Sequence, residues 1–559
     1  MSNIRLAILT DGRTAPRFML DALRMVDGCD ELTVFACTNT HHKKRPLKHG
    51  LYYALNLLSV RNRLTRSLPI EECGKQVERV VEFEADYEGA WQRFPDAVVS
   101  ELAGFDVIVK IGMGLLRVPA TERLAAPILS YHHGDPARFR GRPAGFWEMV
   151  ERVPVMGQIV QRLSNRLDGG EVLAFAETKV WPHSWRATLT EAYRHSPFLL
   201  NPAIRNVLTG TPLDRPASGR NYRLPSNLVV LGLMLRMVWE AAKRLLYGAF
   251  GEKRWWVSLA PFDPDNASLA EEGAFPPPAQ WRTIEHQRRY SFYADPFFSA
   301  DPPGLLVEAL GRLSGIGEIL LIDGAATRRV SPGGGHYSYP ATIAIDGRQL
   351  VVPEIAEMSP PTVYAIEGGA MRPQHRLRLD ADDGLLDPTL YAADGRVWLF
   401  GNLLREGPGA LFLWSAETIE GDFERHPMSP IRVSPLGARM AGNLLRVGGR
   451  LFRLGQDLSV RYGDGILVFE VERLTREEYR ERRVGEIRFS DRHGPHTLNV
   501  AGGEMVFDWF RESVSPLAGW RRVLPMLLAR RRRTAPSALP SQRGGHLPEG
   551  GEIGFGKAR

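Results

Sequence analysis

Apolar positions run along this chain in two different rhythms. Over residues 1–210, short apolar runs alternate with stretches of helical spacing. Residues 4–9 and 32–37 read as strands, 18–26 as a helix, and 107–111, after Phe105-Asp106, as a further strand. Strands that alternate with helices predict a parallel sheet covered on both faces. The rhythm breaks after residue 210, where Thr-Gly-Thr-Pro-Leu-Asp-Arg-Pro-Ala-Ser-Gly is dense in turn formers. Residues 227–250 then carry an apolar helical pattern that Arg236 interrupts after about nine residues, fewer than the roughly 20 a membrane span requires. An amphipathic helix packed between domains is expected here. Its cationic flank and aromatic residues would also suit a membrane surface.

From about 255 to 510 the rhythm changes to short strands between Gly, Pro and Asp turns. Tyr-Ala-Asp-Pro-Phe-Phe (293–298), Tyr-Ser-Tyr-Pro-Ala-Thr (337–342) and Leu-Leu-Asp-Pro-Thr-Leu (385–390) open three successive units. Asp346-Gly347, Asp394-Gly395, Gly448-Gly449 and Gly502-Gly503 each join one apolar strand to the next, at spacings of 48, 54 and 54 residues. A period near 50 built of hairpins predicts propeller blades. There are five when the unit opening at Tyr293 is included, with 255–260 as the closing strand. The expected fold is therefore multidomain. An α/β parallel-sheet domain (1–210) leads through a linker with an amphipathic helix (211–254) to an all-β five-bladed propeller (255–510). A basic tail (511–559) follows, mostly too poor in apolar residues to fold.

Composition narrows the function classes. At 559 residues the chain exceeds one ordinary core, and 44% hydrophobic with 24% charged residues excludes a disordered or collagen-like protein. Three cysteines, Cys29, Cys37 and Cys73, exclude a disulfide scaffold and a cysteine-based zinc site, and no metal ligand set is expected. The net charge is +7, but Arg521, Arg522 and Arg530 to Arg533 supply six positive charges, leaving a nearly neutral body. No nucleic-acid-binding motif accompanies them, so a nucleic-acid partner is not expected. The opening residues show no secretory leader, which reads as a cytoplasmic chain.

The stretch 128–173 carries the most chemistry: I-L-S-Y-H-H-G-D-P-A-R-F-R-G-R-P, later L-D-G-G-E-V-L. A histidine and an aspartate on loops after adjacent strands can meet in one cleft, where the carboxylate orients the imidazole for proton transfer. Residue types alone equally allow a solvated loop histidine and a turn-forming Asp-Gly-Gly. Gly112 to Gly114 is no dinucleotide fingerprint, because the third glycine is absent.

The register of these residues resembles the 10-formyltetrahydrofolate-dependent formyltransferase family over about 1–210. Tyr131-His132 continuing to Phe139-Arg140-Gly141, and Leu167-Asp168-Gly169-Gly170-Glu171, carry the likeness. The resemblance implies 10-formyltetrahydrofolate as cofactor and His132 as proton acceptor, with Asp168 holding it. It also implies a folate-side loop at Gly112, Met113, Gly114 and Leu115, and substrate contacts at Arg140 and Gly141. The family's asparagine, which binds the formyl oxygen, falls on Ser130. Losing such a donor can cost on the order of 3 kcal/mol of barrier.

Acids recur in the second half at comparable positions: Asp295, Glu354 and Asp387. The motifs Tyr293-Ala294-Asp295-Pro296, Val352-Pro353-Glu354, Leu386-Asp387-Pro388 and Arg439-Met440-Ala441-Gly442 resemble five-bladed glycoside hydrolase propellers. They more closely resemble the N-terminal domain of plant glucosamine inositolphosphorylceramide transferases. This implies a glycan-recognising centre at the three acids. The combined expectation is formyl transfer to an amino sugar or nucleotide-linked sugar, with peripheral membrane contact open. The alternative is a glycan-binding or hydrolytic propeller with a degenerate formyltransferase-like domain.

Overall fold

The computed structural model describes residues 4–39, 46–89, 91–116, 124, 126–164, 166, 168–263, 275–324, 326–355, 360–381, 383–520 and 522–523. Seven strands form the N-terminal sheet: β1 (Leu6–Asp11), β2 (Glu31–Cys37), β3 (Gln76–Phe83), β4 (Val107–Ile111), β5 (Ile128–His132), β6 (Val155–Arg162) and β7 (Val172–Lys179). Their order is β7-β6-β5-β4-β1-β2-β3. The five strands from β5 to β3 are parallel, and β6 and β7 join antiparallel.

The near-continuous apolar runs of β1, β2 and β4 follow from burial on both faces. Leu6, Ile8, Val107 and Val109 pack with Phe18, Met19 and Leu23 of the helix Arg17–Arg24. Ala7, Leu9 and Ile108 pack with Val98, Val99 and Leu102 of the helix Asp96–Leu102. The three cysteines are buried and free.

Five sheets occupy the second half, antiparallel apart from one pair, Arg378–Leu379 with Asp422–Arg425. Sheet I joins Gly251–Pro261 and Arg282–Thr283 to Leu498–Ala501 and Glu504–Val514, so residues far apart in sequence close it. Sheets II, III and IV begin with Tyr290–Ala300, Ser338–Ile345 and Leu385–Ala393, and sheet V with Leu436–Met440. The four expected turns are two-residue hairpins whose central residues all have positive φ, from 50° to 79°. Asp-Gly and Gly-Gly meet that need at low steric cost. The last strand runs on to Val514, past the boundary at 510 that composition suggests.

Asn227–Phe250 forms a helix of 24 residues. It does not lie buried between packed units as expected, since only Val230 and Leu233 along it are fully buried. Tyr52 and Leu55 of Gly50–Val60 lie in the same core cluster as that narrow stripe, with Phe146, Met149, Trp185 and Leu189. The expected basic helix at 520–528 and the tail beyond 523 fall outside the described residues, apart from the short turn reaching 523.

Candidate functional site

Four polar side chains gather at the carboxyl ends of the central parallel strands. Ser130 lies beside Lys110 in the β5–β4 register, and Lys110 lies beside Leu9 on β1. Residues two apart on a strand share a face, so Asp11, Lys110, Ser130 and His132 stand on one face of the sheet. In open α/β sheets ligands bind beyond this edge.

Asp168 reaches that face from the loop between β6 and β7. Its Oδ1 lies 3.4 Å from His132 Nδ1, and its Oδ2 accepts a 2.8 Å hydrogen bond from the Gly141 amide. His132 Nε2 lies 3.2 Å from the Phe139 carbonyl, so both ring nitrogens face acceptors and the imidazole is fixed in orientation. Gly134 makes room for the ring, since a Cβ there would sit 2.7 Å from Nε2. Leu167 of the Asp-Gly-Gly motif lies outside the described residues.

Gly141 has φ +88° and an added Cβ would stand 2.1 Å from the Tyr222 carbonyl. Arg140 sits beside it on the short strand Phe139–Gly141, paired with Arg220–Tyr222. Gly141→Ala is expected to lower stability by about 2 kcal/mol or more through strain and the displaced strand. A thermal melt checks it, and an unchanged midpoint would remove the steric argument.

The folate-side loop is held from below. Met113 (φ +58°) donates from its amide to Asp11 Oδ2 at 2.9 Å, and Gly114 donates to Gln92 Oε1 at 2.6 Å. Gly112 is exposed, while Met113, Gly114 and Leu115 are half-buried. Lys110 donates to the Gly112 carbonyl at 3.0 Å. Burial pushes the Lys110 ammonium down to about 8, against the opposing charges of Asp11 and Asp168. Sequence reasoning missed Lys110, Asp11 and Gln92, although the first two are the charged residues that break apolar strand ends.

His133, next to the motif histidine, plays a packing part. Burial, with His132 adding to it, pushes its imidazole down to about 3, and its Nε2 meets the Ser196 hydroxyl at 2.9 Å.

A second polar cluster links side chains and amides of all five sheets. Asp295, Tyr339 and Asp387 hold the same place in the first strands of sheets II, III and IV, each before a proline and each with φ between 44° and 47°. Residues before proline are pushed to extended conformations, and left-handed non-glycine residues are uncommon, so these positions carry strain. Register shifts at all three mark β-bulges, which re-aim side chains.

Asp387 and Glu354 are in direct contact. The Asp387 amide donates to Glu354 Oε2 at 2.9 Å. Arg439 clamps Asp387 with two bonds of 2.6 and 3.0 Å and reaches Glu354 at 3.4 Å. Gln456 adds a 2.8 Å bond to Asp387. Asp295 belongs to a neighbouring network: its Oδ1 accepts from Thr497 at 2.5 Å and lies 3.3 Å from His496 Nε2. His496 Nδ1 in turn lies 2.6 Å from Asp508. Glu308 faces Asp295 and is held well above the usual carboxylate range, by burial first and then by Asp295.

Asp295, His496 and Asp508 offer ligand atoms within 4.8 Å of one another. The sequence reading expected no metal ligands. A cation bound there would compete with the His496–Asp508 ion pair for the imidazole. Sequence reasoning also missed Glu308, His496 and Asp508 and did not assign Arg439 to the site. Alignment of second strands could have found Glu308, because it pairs with Ala294 as Glu354 pairs with Ser338.

Burial, with Asp387 beside it, pushes Glu354 up to about 8 from an ordinary 4.5. The folded chain therefore holds a proton that the unfolded chain has released. This contribution is complete below the unfolded value and is lost as pH rises through about 8. Glu354→Gln, neutral at every pH, is expected to flatten the decline of stability over that window. Urea unfolding of parent and variant across pH checks it, and equal slopes would refute the assignment.

Comparison with known proteins bears on the second half. Residues 333–501 match the family described as glucosamine inositolphosphorylceramide transferase 1, N-terminal. The chain is 38% identical over 106 residues to glucosamine inositolphosphorylceramide transferase 1 of Oryza sativa subsp. japonica, covering 18% of this chain and 14% of that one. It is 28% identical over 262 residues to the Arabidopsis thaliana protein of the same name, covering 43% and 34% respectively. The chain thus spans about a third or less of the length of these relatives. Among solved structures, glycinamide ribonucleotide transformylase 1 from Symbiobacterium toebii is 20% identical, covering 37% of this chain and 88% of that one at a TM-score of 0.26. The family match takes in Glu354, Asp387, Arg439 and His496 and leaves the His132 site outside it.

Proposed function

We propose that this protein transfers a formyl group from 10-formyltetrahydrofolate to the amino group of an amino sugar or nucleotide-linked sugar. The observation that carries the reading is the His132–Asp168 pair, 3.4 Å apart, with the Gly141 amide on the second carboxylate oxygen. The register of the motifs and the short distance both support this reading.

The residues at the loop fit a reduced folate. Asp11 Oδ1 is buried with no hydrogen-bond partner among the described residues, an acceptor suited to the amino and ring N–H groups of a pterin. Gly112, Met113, Gly114 and Leu115 would hold the ring beside it. The cofactor, when bound, supplies an activated formyl carbon. His132 takes the proton of the attacking amine at Nε2 as that nitrogen leaves the Phe139 carbonyl, and Asp168 balances the resulting charge at Nδ1. Ser130 has a shorter reach than asparagine. Lys110, on the same face, supplies positive charge where negative charge grows on the formyl oxygen. Arg140 and Gly141 flank the acceptor.

In the same reading the five sheets are the blades of a five-bladed propeller, and its axis selects the saccharide. Support comes from successive first strands that pack against one another and from sheet I, which closes the array with both ends of the region. Asp295, Glu354 and Asp387 then contribute acceptors for sugar hydroxyls. The Arg439 clamp favours binding over hydrolysis, because it ties Asp387 into a fixed ion pair and also holds Glu354 in place. Isothermal titration of the intact protein with 5-formyltetrahydrofolate tests the reading. Saturable heat and a raised melting temperature are expected, and neither effect at millimolar ligand would overturn it.

A further inference from the structure

The helix Asn227–Phe250 turns the wrong face to water. At 100° per residue, Leu228, Leu231, Leu235, Val238, Trp239 and Leu246 fall with their apolar neighbours in an arc of about 160°, and that arc is solvent-exposed. Leu228 is 79% exposed, Leu235 65%, Val238 69% and Trp239 63%. The charged residues lie off that arc, Arg236 and Glu240 half-buried and Lys243 and Arg244 exposed. Arg236 donates to the carbonyls of Met149 and Val150, Arg244 meets His183, and Glu240 pairs with Lys243. An ordinary surface helix has the opposite arrangement.

The exposed apolar surface continues onto neighbouring elements. Gly50–Val60 packs beside the long helix, tied to it by bonds from Leu51 to Asn227 and from Asn227 to the Leu47 carbonyl. Leu57 and Leu58 on it, and Leu47 just before it, are exposed. At the other end Arg522 donates to the carbonyls of Tyr247, Gly248 and Gly251 and so fixes exposed Leu517 and Trp520 beside the helix. No helix among the described residues is long and apolar enough to cross a membrane.

Charge selects what covers this surface. Residues 41–66, which contain the shorter helix, hold seven Lys and Arg and no Asp or Glu. Arg61, Arg63 and Arg66 follow that helix and are exposed. Residues 520–533 hold six Arg and no acid. The described Arg61, Arg63, Arg66 and Arg522 are therefore exposed cations on the elements that adjoin an apolar surface about 36 Å long, at 1.5 Å per residue. A second copy of this chain would bring the same positive charges together, whereas an anionic bilayer offers both an apolar interior and negative headgroups. Trp239 and Trp520 suit the headgroup boundary.

We propose that Gly50–Val60, Asn227–Phe250 and the Leu517–Trp520 turn form a membrane-docking surface that lies in the plane of an anionic bilayer, apolar side chains inserted and arginines at the headgroups. This surface then binds the bilayer without crossing it. This proposal is independent of the formyl-transfer reading.

Co-sedimentation of the intact chain with phosphatidylcholine–phosphatidylglycerol vesicles tests it, with phosphatidylcholine alone as comparison. Stronger binding to the anionic vesicles is expected, weakening as salt rises. Leu235→Asp/Trp239→Asp should reduce binding at least about tenfold, and Arg61→Glu/Arg63→Glu should reduce the preference for anionic lipid. Both pairs are exposed, and circular dichroism confirms the fold. Failure to sediment with anionic vesicles would overturn the proposal, as would binding that the Leu235→Asp/Trp239→Asp variant leaves intact. Equal binding to both vesicle types would overturn its charge component. A dimer that the Leu235→Asp/Trp239→Asp variant dissociates, without vesicle binding, would assign the surface to a second copy instead.

Discussion

His132→Ala is expected to abolish formyl transfer in a folded protein, with a loss of roughly 10³-fold or more, since general base catalysis contributes about 10²–10⁴-fold. No other imidazole replaces it: neighbouring His133 is buried, pushed down to about 3, and engaged with Ser196. Asp168→Asn should cost roughly 10²-fold or more by a different route. The amide oxygen can still accept from Gly141, which turns the NH₂ toward His132 Nδ1. The proton then sits on Nε2, the nitrogen that must accept one. Ser130→Asn should preserve or raise the rate by restoring a longer donor beside Lys110. Initial rates of N-formyl product by mass spectrometry, with melting curves as folding controls, measure all three. An unchanged rate for His132→Ala would remove the site from the chemistry.

Arg439→Met is expected to be the most destabilising single change in the second half, by about 3–5 kcal/mol near neutral pH. It strips Asp387 of two hydrogen bonds and leaves its carboxylate facing Glu354 with both groups buried. Asp295 adds to the repulsion, since burial first and then neighbouring charges that include Asp387 raise its carboxyl. Without the guanidinium the folded state takes up protons more readily than the unfolded chain. The deficit should therefore shrink as pH falls toward about 5. Urea unfolding at both pH values checks the size and the sign. A loss under about 1 kcal/mol would mean that solvent reaches the pair and screens it.

Much of the framework was legible because it depends on local rules. The helix at 227–250 and the strands β1, β2 and β4 follow from apolar periodicity, and their observed bounds differ little from the expected ones. The four two-residue turns follow from the demand for positive φ that Asp-Gly and Gly-Gly meet. His132 and Asp168 could be paired on paper because they lie on loops after adjacent strands and their motifs resemble those of the formyltransferase family.

What only the tertiary structure decided is set by contacts between residues distant in sequence. Lys110 is opposed to Ser130 by strand pairing, and its lowered pKa comes from burial that no local pattern announces. The partners of Asp387 lie 33, 52 and 69 residues away, and Arg439 becomes a clamp only where sheets III, IV and V meet. The apolar arc of 227–250 was visible from the start. Which way it faced was not, because periodicity fixes the relative position of side chains on a helix while packing against Tyr52 and Leu55 sets its rotation. Sequence determined the elements and their candidate chemistry, and the fold decided which charges neutralise one another and which apolar face stays open.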